Sequence, residues 1–261
     1  MAHDVTLASA SRAEWIKFRS VRSTVLGFIV TALLTVGISA LITTVIRGHW
    51  TTMDPLSRLT FDPVSTSLGG ILFAQFAVGV IGALFITAEY SSGSIRTTLA
   101  AVPQRLRVVA AKALVLAVSM IIVAEVLSFI TFLMGQAIFS GVVPTASLAT
   151  SAVLRSVILA GVYLTLLALL GFALGLILRQ SAACITVFTS LLLVVPIIVF
   201  LLPQSWQDAI TKYEPSALGR AMMSTTPASQ MFGATSATVI LLIYVAVVSA
   251  VGSILFLRRD A

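Results

Sequence analysis

Long apolar runs alternate along the chain with short segments that hold all but one of the charged residues. Six runs are long enough for a helix to cross about 30 Å of hydrocarbon, which takes about 20 residues. They are Thr24 to Ile46, Leu68 to Ala88, Leu114 to Phe139, Val157 to Leu178, Ala182 to Leu202 and Ala237 to Leu257. The runs lack the alternation of a membrane β-strand, and an isolated span must satisfy its own backbone hydrogen bonds. The pattern predicts an all-α membrane protein with six transmembrane helices in a single transmembrane domain over residues 1–261.

Composition supports this prediction and excludes an ordinary water-soluble domain. Hydrophobic residues make up 59% of the chain and charged residues 10%, whereas soluble domains carry about 25% charged residues. Basic loops explain the net charge of +7, so we expect no nucleic-acid partner. With one cysteine, Cys184, and two distant histidines, His3 and His49, neither a disulfide nor a metal site is predicted. The acids are scattered and no nucleophile has a histidine partner, so no catalytic residue is predicted.

The distribution of basic residues predicts the orientation. One set of loops and termini holds Arg12, Lys17, Arg19, Arg22, Arg96, Arg105, Arg107, Lys112, Arg179, Arg258 and Arg259. The other set holds only Arg47, Arg58, Arg155, Lys212 and Arg220. Cytoplasmic loops collect Lys and Arg, so the first set is expected in the cytoplasm. The chain should therefore cross the cell membrane six times with both termini cytoplasmic.

Two segments outside the spans have a distinct pattern. The leader from Leu7 to Arg22 is amphipathic, because Leu7, Trp15, Phe18 and Val21 share one helical side while Arg12, Lys17 and Arg19 lie mostly elsewhere. It predicts an interfacial helix on membrane lipids, with Trp15, Lys17, Phe18 and Arg19 as its contact residues; a simple anchor is the alternative. Before the last span, Ser205 to Tyr213 and Ser216 to Ser224 form two helix-like pieces split by Pro215. With Trp206 and Tyr213 at interface depth, this outer segment is predicted to be re-entrant-like.

A short helix is predicted between the second and third spans. Glu89 ends the second span, and Ser91, Ser92 and Ser94 can cap a new helix. Ile95 and Leu99, four residues apart, give that helix a small apolar face. Gly93 would allow a close backbone approach or a positive φ. Such a helix standing in the cytoplasm could be held by a motor domain, although a solvated connector is the commoner use of a short loop.

Polar and small residues within the spans form a second group of candidates. Glu125 is the one acidic side chain well inside a span, where it would contact a substrate path, a dimer interface or a hydrogen-bonding neighbour. Gln75, Gly79 and Gly82 form one stripe, and Gly161, Ala168, Gly171 and Gly175 form another. Stripes of small residues let helices approach closely, so packing is the favoured interpretation. Pro196 is expected to kink the fifth span.

The loop between the second and third spans resembles the first cytoplasmic loop of type-2 ABC transporter permeases. That family has a Glu, a Ser/Gly-rich turn, then Leu, Pro, a basic residue and Lys. Its pattern is matched in order by Glu89, Gly93, Leu99, Pro103, Arg105 and Lys112. The leader around Glu14-Trp15-Ile16-Lys17-Phe18-Arg19 is similar to the interfacial helix of the same family, and Tyr213-Glu214-Pro215-Ser216 with Gly219 and Met222 is similar to its outer segment. The resemblance covers essentially the whole chain.

The resemblance implies a working unit of two permeases, identical or closely related, and two ABC ATPase subunits. It also implies a coupling helix that contacts the ATPase through Glu89, Ser92, Gly93, Ile95, Arg96 and Leu99. We expect Ile95 and Leu99 to be exposed in the isolated chain, with Glu89 and Arg96 at the rim of the contact. The chain has no Gly-x-x-x-x-Gly-Lys-[Ser/Thr] phosphate loop, so ATP and Mg are expected in the partner ATPase and no cofactor in this chain.

The function that this resemblance implies is export of an amphipathic, drug-like or lipid-like compound by alternating access. The alternative is an ATP-independent protein, either a secondary transporter coupled to protons through Glu125 or a structural membrane component. More buried charges within the spans would favour that alternative, and the sequence offers almost none. A membrane-embedded hydrolase would need paired acids or histidine motifs, which are absent from the sequence.

Overall fold

The computed structural model describes residues 6–20, 22–101, 104–226 and 231–258, and all regular secondary structure within these ranges is helical. Six helices there are long and apolar enough to cross a membrane. They are Thr24–Thr52, Ile71–Ser91, Arg105–Phe139, Ser151–Leu178, Ser181–Phe200 and Ala234–Arg258, called spans 1 to 6 below. The predicted all-α fold with six membrane spans is therefore confirmed.

Shorter helices connect these spans. The N-terminal helix is Leu7–Ser20, the loop helix between spans 2 and 3 is Ser94–Ala101, and the return helix before span 6 is Pro215–Met223. Further short helices are Pro55–Leu59, Pro63–Ser67 and Gln204–Ile210. Proline opens three of these helices at a position whose N–H has no intrahelical partner in any case. The loop helix lies at one end of the bundle, called the loop end, and the return helix lies at the opposite end.

Span 3 starts earlier than the apolar run indicated. Its helix begins at Arg105, whereas hydropathy placed the start at Leu114. The added turns carry Arg107 and Lys112. Charged side chains interrupt an apolar run in the sequence, but they do not prevent the helix from continuing. The extension brings Lys112 beside the N-terminal helix, which packs mainly against span 3.

Span 4 is the centre of the bundle and packs against spans 2, 3 and 6. Spans 2 and 4 touch through backbone: a methyl group on Gly82 would collide with the carbonyl oxygen of Ala168. A methyl group on Gly171 would collide with the carbonyl oxygen of Gly79. The packing interpretation of the two small-residue stripes is therefore confirmed, because only glycine permits this approach.

Spans 1 and 5 each contain a π-helical turn, at Leu33–Gly37 and Ser190–Val194 respectively. The turn in span 5 directly precedes the segment that holds Pro196. Proline has no N–H to continue the α-helical ladder, so the hydrogen-bond pattern has to change next to it. A π turn therefore accompanies Pro196, and the kink of span 5 stays a prediction.

A stripe of buried hydroxyl groups along span 1 was not predicted. Its members are Thr31, Thr35, Ser39 and Thr43, each four residues after the last and at most 1% exposed. The three threonine hydroxyls donate to the carbonyl four residues earlier. The hydroxyl oxygen of Ser39 instead accepts from the backbone N–H of Gly70 at 2.8 Å and joins span 1 to the start of span 2. Their four-residue spacing was the available sequence signal.

The outer segment contains the two predicted helices, Gln204–Ile210 and the return helix. The return helix is largely buried and packs against spans 4 and 6. Its Ser216 hydroxyl donates to the amide oxygen of Gln75 at 3.3 Å, and the Tyr163 hydroxyl donates to the same atom. Gln75 therefore holds spans 2 and 4 and the return helix together. Whether the segment is re-entrant stays a prediction.

Candidate coupling site

The loop helix begins after a tight turn at Gly93. Gly93 has φ +72° and no atom within 4 Å of an added Cβ, so the turn requires its positive φ and not a close approach. Before the turn, the Ser92 hydroxyl bonds to the carbonyl of Ala88 at 2.8 Å and to the Ser94 hydroxyl at 2.9 Å. These contacts fix the direction in which the loop helix leaves span 2.

The apolar face of the loop helix packs inward. Ile95 is only 2% exposed and belongs to the hydrophobic core, and Leu99 is partly buried against the same core. The expectation that both side chains would be exposed in the isolated chain is wrong. The loop helix folds back on spans 2 and 3, and burial against them already removes its apolar surface from water.

The opposite face of the loop helix is open. Ser92, Gly93, Arg96 and Thr97 are exposed there, and Arg96 is the only charged residue within the helix. A partner protein that binds the loop helix would meet these four residues first. Of the predicted contact set, the structure leaves Ser92, Gly93 and Arg96 accessible.

Four charged side chains meet under the loop helix and are called the charged cluster: Glu14, Lys17, Glu89 and Lys112. The Lys112 ammonium lies 2.5 Å from Glu14 Oε2 and 2.8 Å from Glu89 Oε1. Lys17 lies 3.2 Å from Glu89 Oε1 and 3.4 Å from Glu14 Oε1. Lys17 also donates to the Thr98 hydroxyl at 3.0 Å, which ties the loop helix to the cluster.

The charged cluster is buried at Lys112 and Glu14 and open to solvent at Lys17. Lys112 is fully buried and Glu14 is 4% exposed, whereas the Lys17 side chain is 45% exposed; the Lys112 ammonium also lies 5.1 Å from the centre of the Phe85 ring. A buried charge is costly unless it is paired and hydrogen-bonded, so Lys112 and Glu14 depend on their partners. The cluster joins the N-terminal helix, the end of span 2, the loop helix and the start of span 3. Glu89 therefore turns inward, and its expected place at the rim of a contact is corrected.

Lys17 shows the electrostatic effect of the pairing. Desolvation alone would lower its pKa, but attraction to Glu89 and Glu14 outweighs that effect and raises the pKa above the ordinary value of 10.5. Lys17 thus stays protonated over the physiological range.

The N-terminal helix packs against the bundle through a face that was not predicted, and Phe18, which was expected to contact lipid, belongs to this buried face. Ala10, Glu14 and Phe18 are buried, whereas Leu7 and Trp15 are 44% and 40% exposed. Phe18 packs edge-on against Phe28 and Phe85, at 5.8 and 5.1 Å between ring centres. The polar residue Glu14 belongs to the buried face because its partner Lys112 lies there, which amphipathicity alone could not reveal. Val21 and the side chain of Arg19 lie outside the described residues.

Glu125 packs over the backbone of Gly161 at the contact between spans 3 and 4. A methyl group on Gly161 would collide with the Glu125 carboxyl group, so the glycine provides the space for it. Oxygen Oε2 of Glu125 is buried and has no hydrogen-bond partner among the described residues. The alternative in which Glu125 makes a structural hydrogen bond to a neighbouring helix therefore has no support at Oε2.

The sequence analysis named Glu14 as part of a family motif and Lys112 as part of a family motif and of the basic set, and did not pair them. A lysine among the apolar residues 108–118 of a long helix was the signal for Lys112. Four residues separate Ala10 from Glu14 and Glu14 from Phe18, and this spacing was the sequence signal for the buried face of the N-terminal helix.

Comparison with curated proteins found no match. A family model described as an ABC-2 family transporter protein matches residues 11–196. The match runs from the N-terminal helix through the charged cluster and the loop helix into span 5, so it includes every element that meets at the candidate coupling site. The chain therefore belongs to the ABC-2 transporter family and is the permease, the multi-pass membrane component, of an ABC transporter.

Proposed function

We propose that this permease is an ATP-driven exporter subunit and that the exposed face of the loop helix receives the ATPase. One observation carries the proposal: the loop helix is open on its polar face and anchored on its other face to the charged cluster and the core. Arg96 and Thr97 supply the outer contact, while Ile95 and Thr98 supply the inner one.

The two faces give the loop helix a mechanical role. Its inner face is held by the burial of Ile95 and by the hydrogen bond from Lys17 to Thr98 at 3.0 Å. A displacement of the outer face by an ATPase would therefore be passed to spans 2 and 3 and the N-terminal helix. Densely packed elements move as units and do not deform continuously, so a small shift at the loop end can reorient the spans.

The working unit in this proposal contains two permeases and two ATPase subunits. ATP and Mg are bound by the partner chains, and hydrolysis there drives alternating access of the spans for an amphipathic cargo. The loop end faces the cytoplasm, as the excess of Lys and Arg at this end favours. Leu7, Trp15 and Ile16, which are exposed on the N-terminal helix, rest in the lipid interface beside it.

The ATP-independent alternative has less support. Glu125 is the only acidic residue in the middle of a span, and the family match covers its span. A buried acid at a helix contact fits a conformational role within an ABC permease as well as it fits proton coupling.

Charge reversal on the open face tests the proposal. Arg96→Glu should leave the spans inserted, because its side chain is exposed, and should reduce the ATPase copurified per permease by about tenfold, as expected for a contact residue worth more than 1 kcal/mol. The copurified chain is identified by its phosphate loop through mass spectrometry, and ATP hydrolysis is measured on the same sample. Arg47→Glu, an exposed arginine at the opposite end of span 1, is the matched control. Normal recruitment and normal hydrolysis in Arg96→Glu would remove the coupling role from this face.

A further inference from the structure

A cavity of about 570 Å³ opens at the end of the bundle opposite the loop helix. Its walls come from the end of span 1, the start of span 2, the return helix and the segment before span 6, and their apolar side chains include Ile42, Ile46, Leu72, Ala221, Met223 and Phe232. The volume lies in the range of about 300–1,000 Å³ that is usual for small-molecule sites. The cavity is separate from the charged cluster and has no part in the coupling role.

Arg220 is the one charged side chain among the described residues that line the cavity. No described carboxylate lies within 4.0 Å of its guanidinium group. The hydroxyls of Thr66 and Ser224, which also line the cavity, already donate to backbone carbonyls at 2.7 and 2.5 Å, and that of Ser65 donates to the carbonyl of Asp62 at 3.4 Å. Arg220 is therefore the charged donor that remains for a ligand.

The acidic residues near this end compensate the charge at the cavity only in part. Glu214, at the start of the return helix, attracts Arg220 electrostatically without an ion pair within 4.0 Å, and its side chain lines a different cavity against spans 5 and 6. Asp62 accepts the N–H of Val64 at 2.8 Å and caps the helix Pro63–Ser67. A second cation, Lys212, lies 5.8 Å from the centre of the Phe232 ring that forms one wall. The cavity is thus apolar inside and positive at its edge.

We propose that this cavity binds a single-chain anionic amphiphile, with its carboxylate on Arg220 and its apolar chain against the cavity walls. A guanidinium group binds a carboxylate through two parallel hydrogen bonds, and Arg220 is exposed at the cavity edge, where the carboxylate can reach it while the chain lies inside. The proposal rests on the export function and names the chemical class of the cargo.

A second copy of this permease is a poorer occupant. A two-fold contact centred on the cavity would place a second Arg220 opposite the first, because such an interface uses the same patch on both chains. Like charges would then face each other in apolar surroundings, which is unfavourable. The positive edge of the cavity therefore favours an anionic ligand over a second permease copy, whose own edge is positive.

Site-resolved photolabelling tests the proposal on the purified full-length permease in phosphatidylcholine nanodiscs, without ATPase or ATP. The probes are dodecanoate, dodecanol and dodecylamine, each with the same diazirine at the chain terminus. We expect dodecanoate to label peptides of the return helix and span 1 about tenfold more than the other two probes, as one charge-assisted contact provides. Arg220→Gln should abolish that preference and Arg220→Lys should keep part of it. Arg155→Gln, an exposed arginine that does not line the cavity, should change nothing.

Several outcomes would overturn the assignment. They are equal labelling by the three probes, an unchanged preference in Arg220→Gln, and stronger labelling by an anionic phospholipid probe with two acyl chains. Efficient disulfide formation between copies carrying Ala221→Cys in a Cys184→Ser background would identify a second permease as the occupant. ATP-driven efflux of dodecanoate by the reconstituted complex is measured separately. Site labelling without efflux would support the binding site and count against the export function, whereas efflux without site labelling would do the reverse.

Discussion

Lys112 and Glu14 are 98 residues apart in the sequence, and 2.5 Å separates the Lys112 ammonium from Glu14 Oε2. Their side chains are 1% and 5% exposed, which makes this the most buried ion pair among the described residues. The pair fixes the N-terminal helix on the start of span 3, directly beneath the loop helix. An ion pair in such a place contributes less to stability than to a defined arrangement of the elements that it joins.

Replacement of Lys112 by methionine should destabilise the permease strongly. It would leave Glu14 and Glu89 buried beside each other without Lys112, and the loss of one partner of a buried pair costs about 3–5 kcal/mol. Thermal unfolding of the purified permease measures this effect. The double variant Glu14→Gln, Lys112→Met should recover part of the loss, since Lys17 then has one carboxylate, that of Glu89, to pair with in place of two. If the double variant is as unstable as the sum of the single variants, the two residues do not act as a pair.

Gly93 and Gly48 provide a matched test of the turn before the loop helix. Both have open space around an added Cβ, but only Gly93 has a positive φ. Gly93→Ala should cost about 1–2 kcal/mol, because a side chain disfavours this conformation. Gly48→Ala, within a helix, should instead stabilise by up to about 1 kcal/mol. Thermal unfolding of both variants, with hydrogen exchange over residues 93–101, would show opposite signs; equal effects would contradict a special role for the turn.

The sequence was sufficient for the six spans, because about 20 apolar residues in a row have few other structures available to them. It also predicted that the small-residue stripes of spans 2 and 4 serve close packing, since the glycine spacing follows the helix repeat, but not that the two stripes meet each other. It misplaced the exposed face of the loop helix, because a local pattern shows that Ile95 and Leu99 share a side but not what covers that side. The charged cluster was missed for the same reason: Glu14, Glu89 and Lys112 are distant in the chain, and only the packing of three helices brings them together.

Gly82 should tolerate no side chain. A methyl group there would collide with the carbonyl oxygen of Ala168, and backbone on both sides of the contact leaves little freedom to adjust. Gly82→Ala should therefore lower stability by about 1–3 kcal/mol, as overpacking does. Gly37→Ala, in span 1 with nothing within 4 Å of the added Cβ, is the control and should have no such cost. Thermal unfolding and the yield of folded monomer report both; similar values for the two variants would contradict the close contact.

The orientation can be tested at two positions at opposite ends of the bundle. A reporter fused after Ala261 should be active in the cytoplasm. Ser57 is exposed in the helix Pro55–Leu59 after span 1, and a Ser57→Cys variant should react with a membrane-impermeant maleimide on intact cells. The only native cysteine, Cys184, is buried and is replaced by serine to remove background. Protection of position 57 in intact cells, with labelling after lysis, would reverse the orientation.

Neutralising Glu125 should lower transport without lowering stability. Its carboxyl group fills the space over Gly161 between spans 3 and 4, and its buried Oε2 has no hydrogen-bond partner among the described residues. A charge at this depth costs about 2.5–3.5 kcal/mol on insertion scales, so Glu125→Gln should keep or raise the thermal stability while it keeps the shape. If the charge serves the conformational cycle, efflux of labelled amphiphiles by the reconstituted complex should fall even though the spans stay inserted.

Ser128→Ala, one turn further along span 3, is the matched control. The Ser128 hydroxyl donates to the carbonyl of Val157 at 2.5 Å, so its loss should lower stability and leave efflux per folded complex unchanged. Full efflux in Glu125→Gln would show that Glu125 only fills space between the two spans.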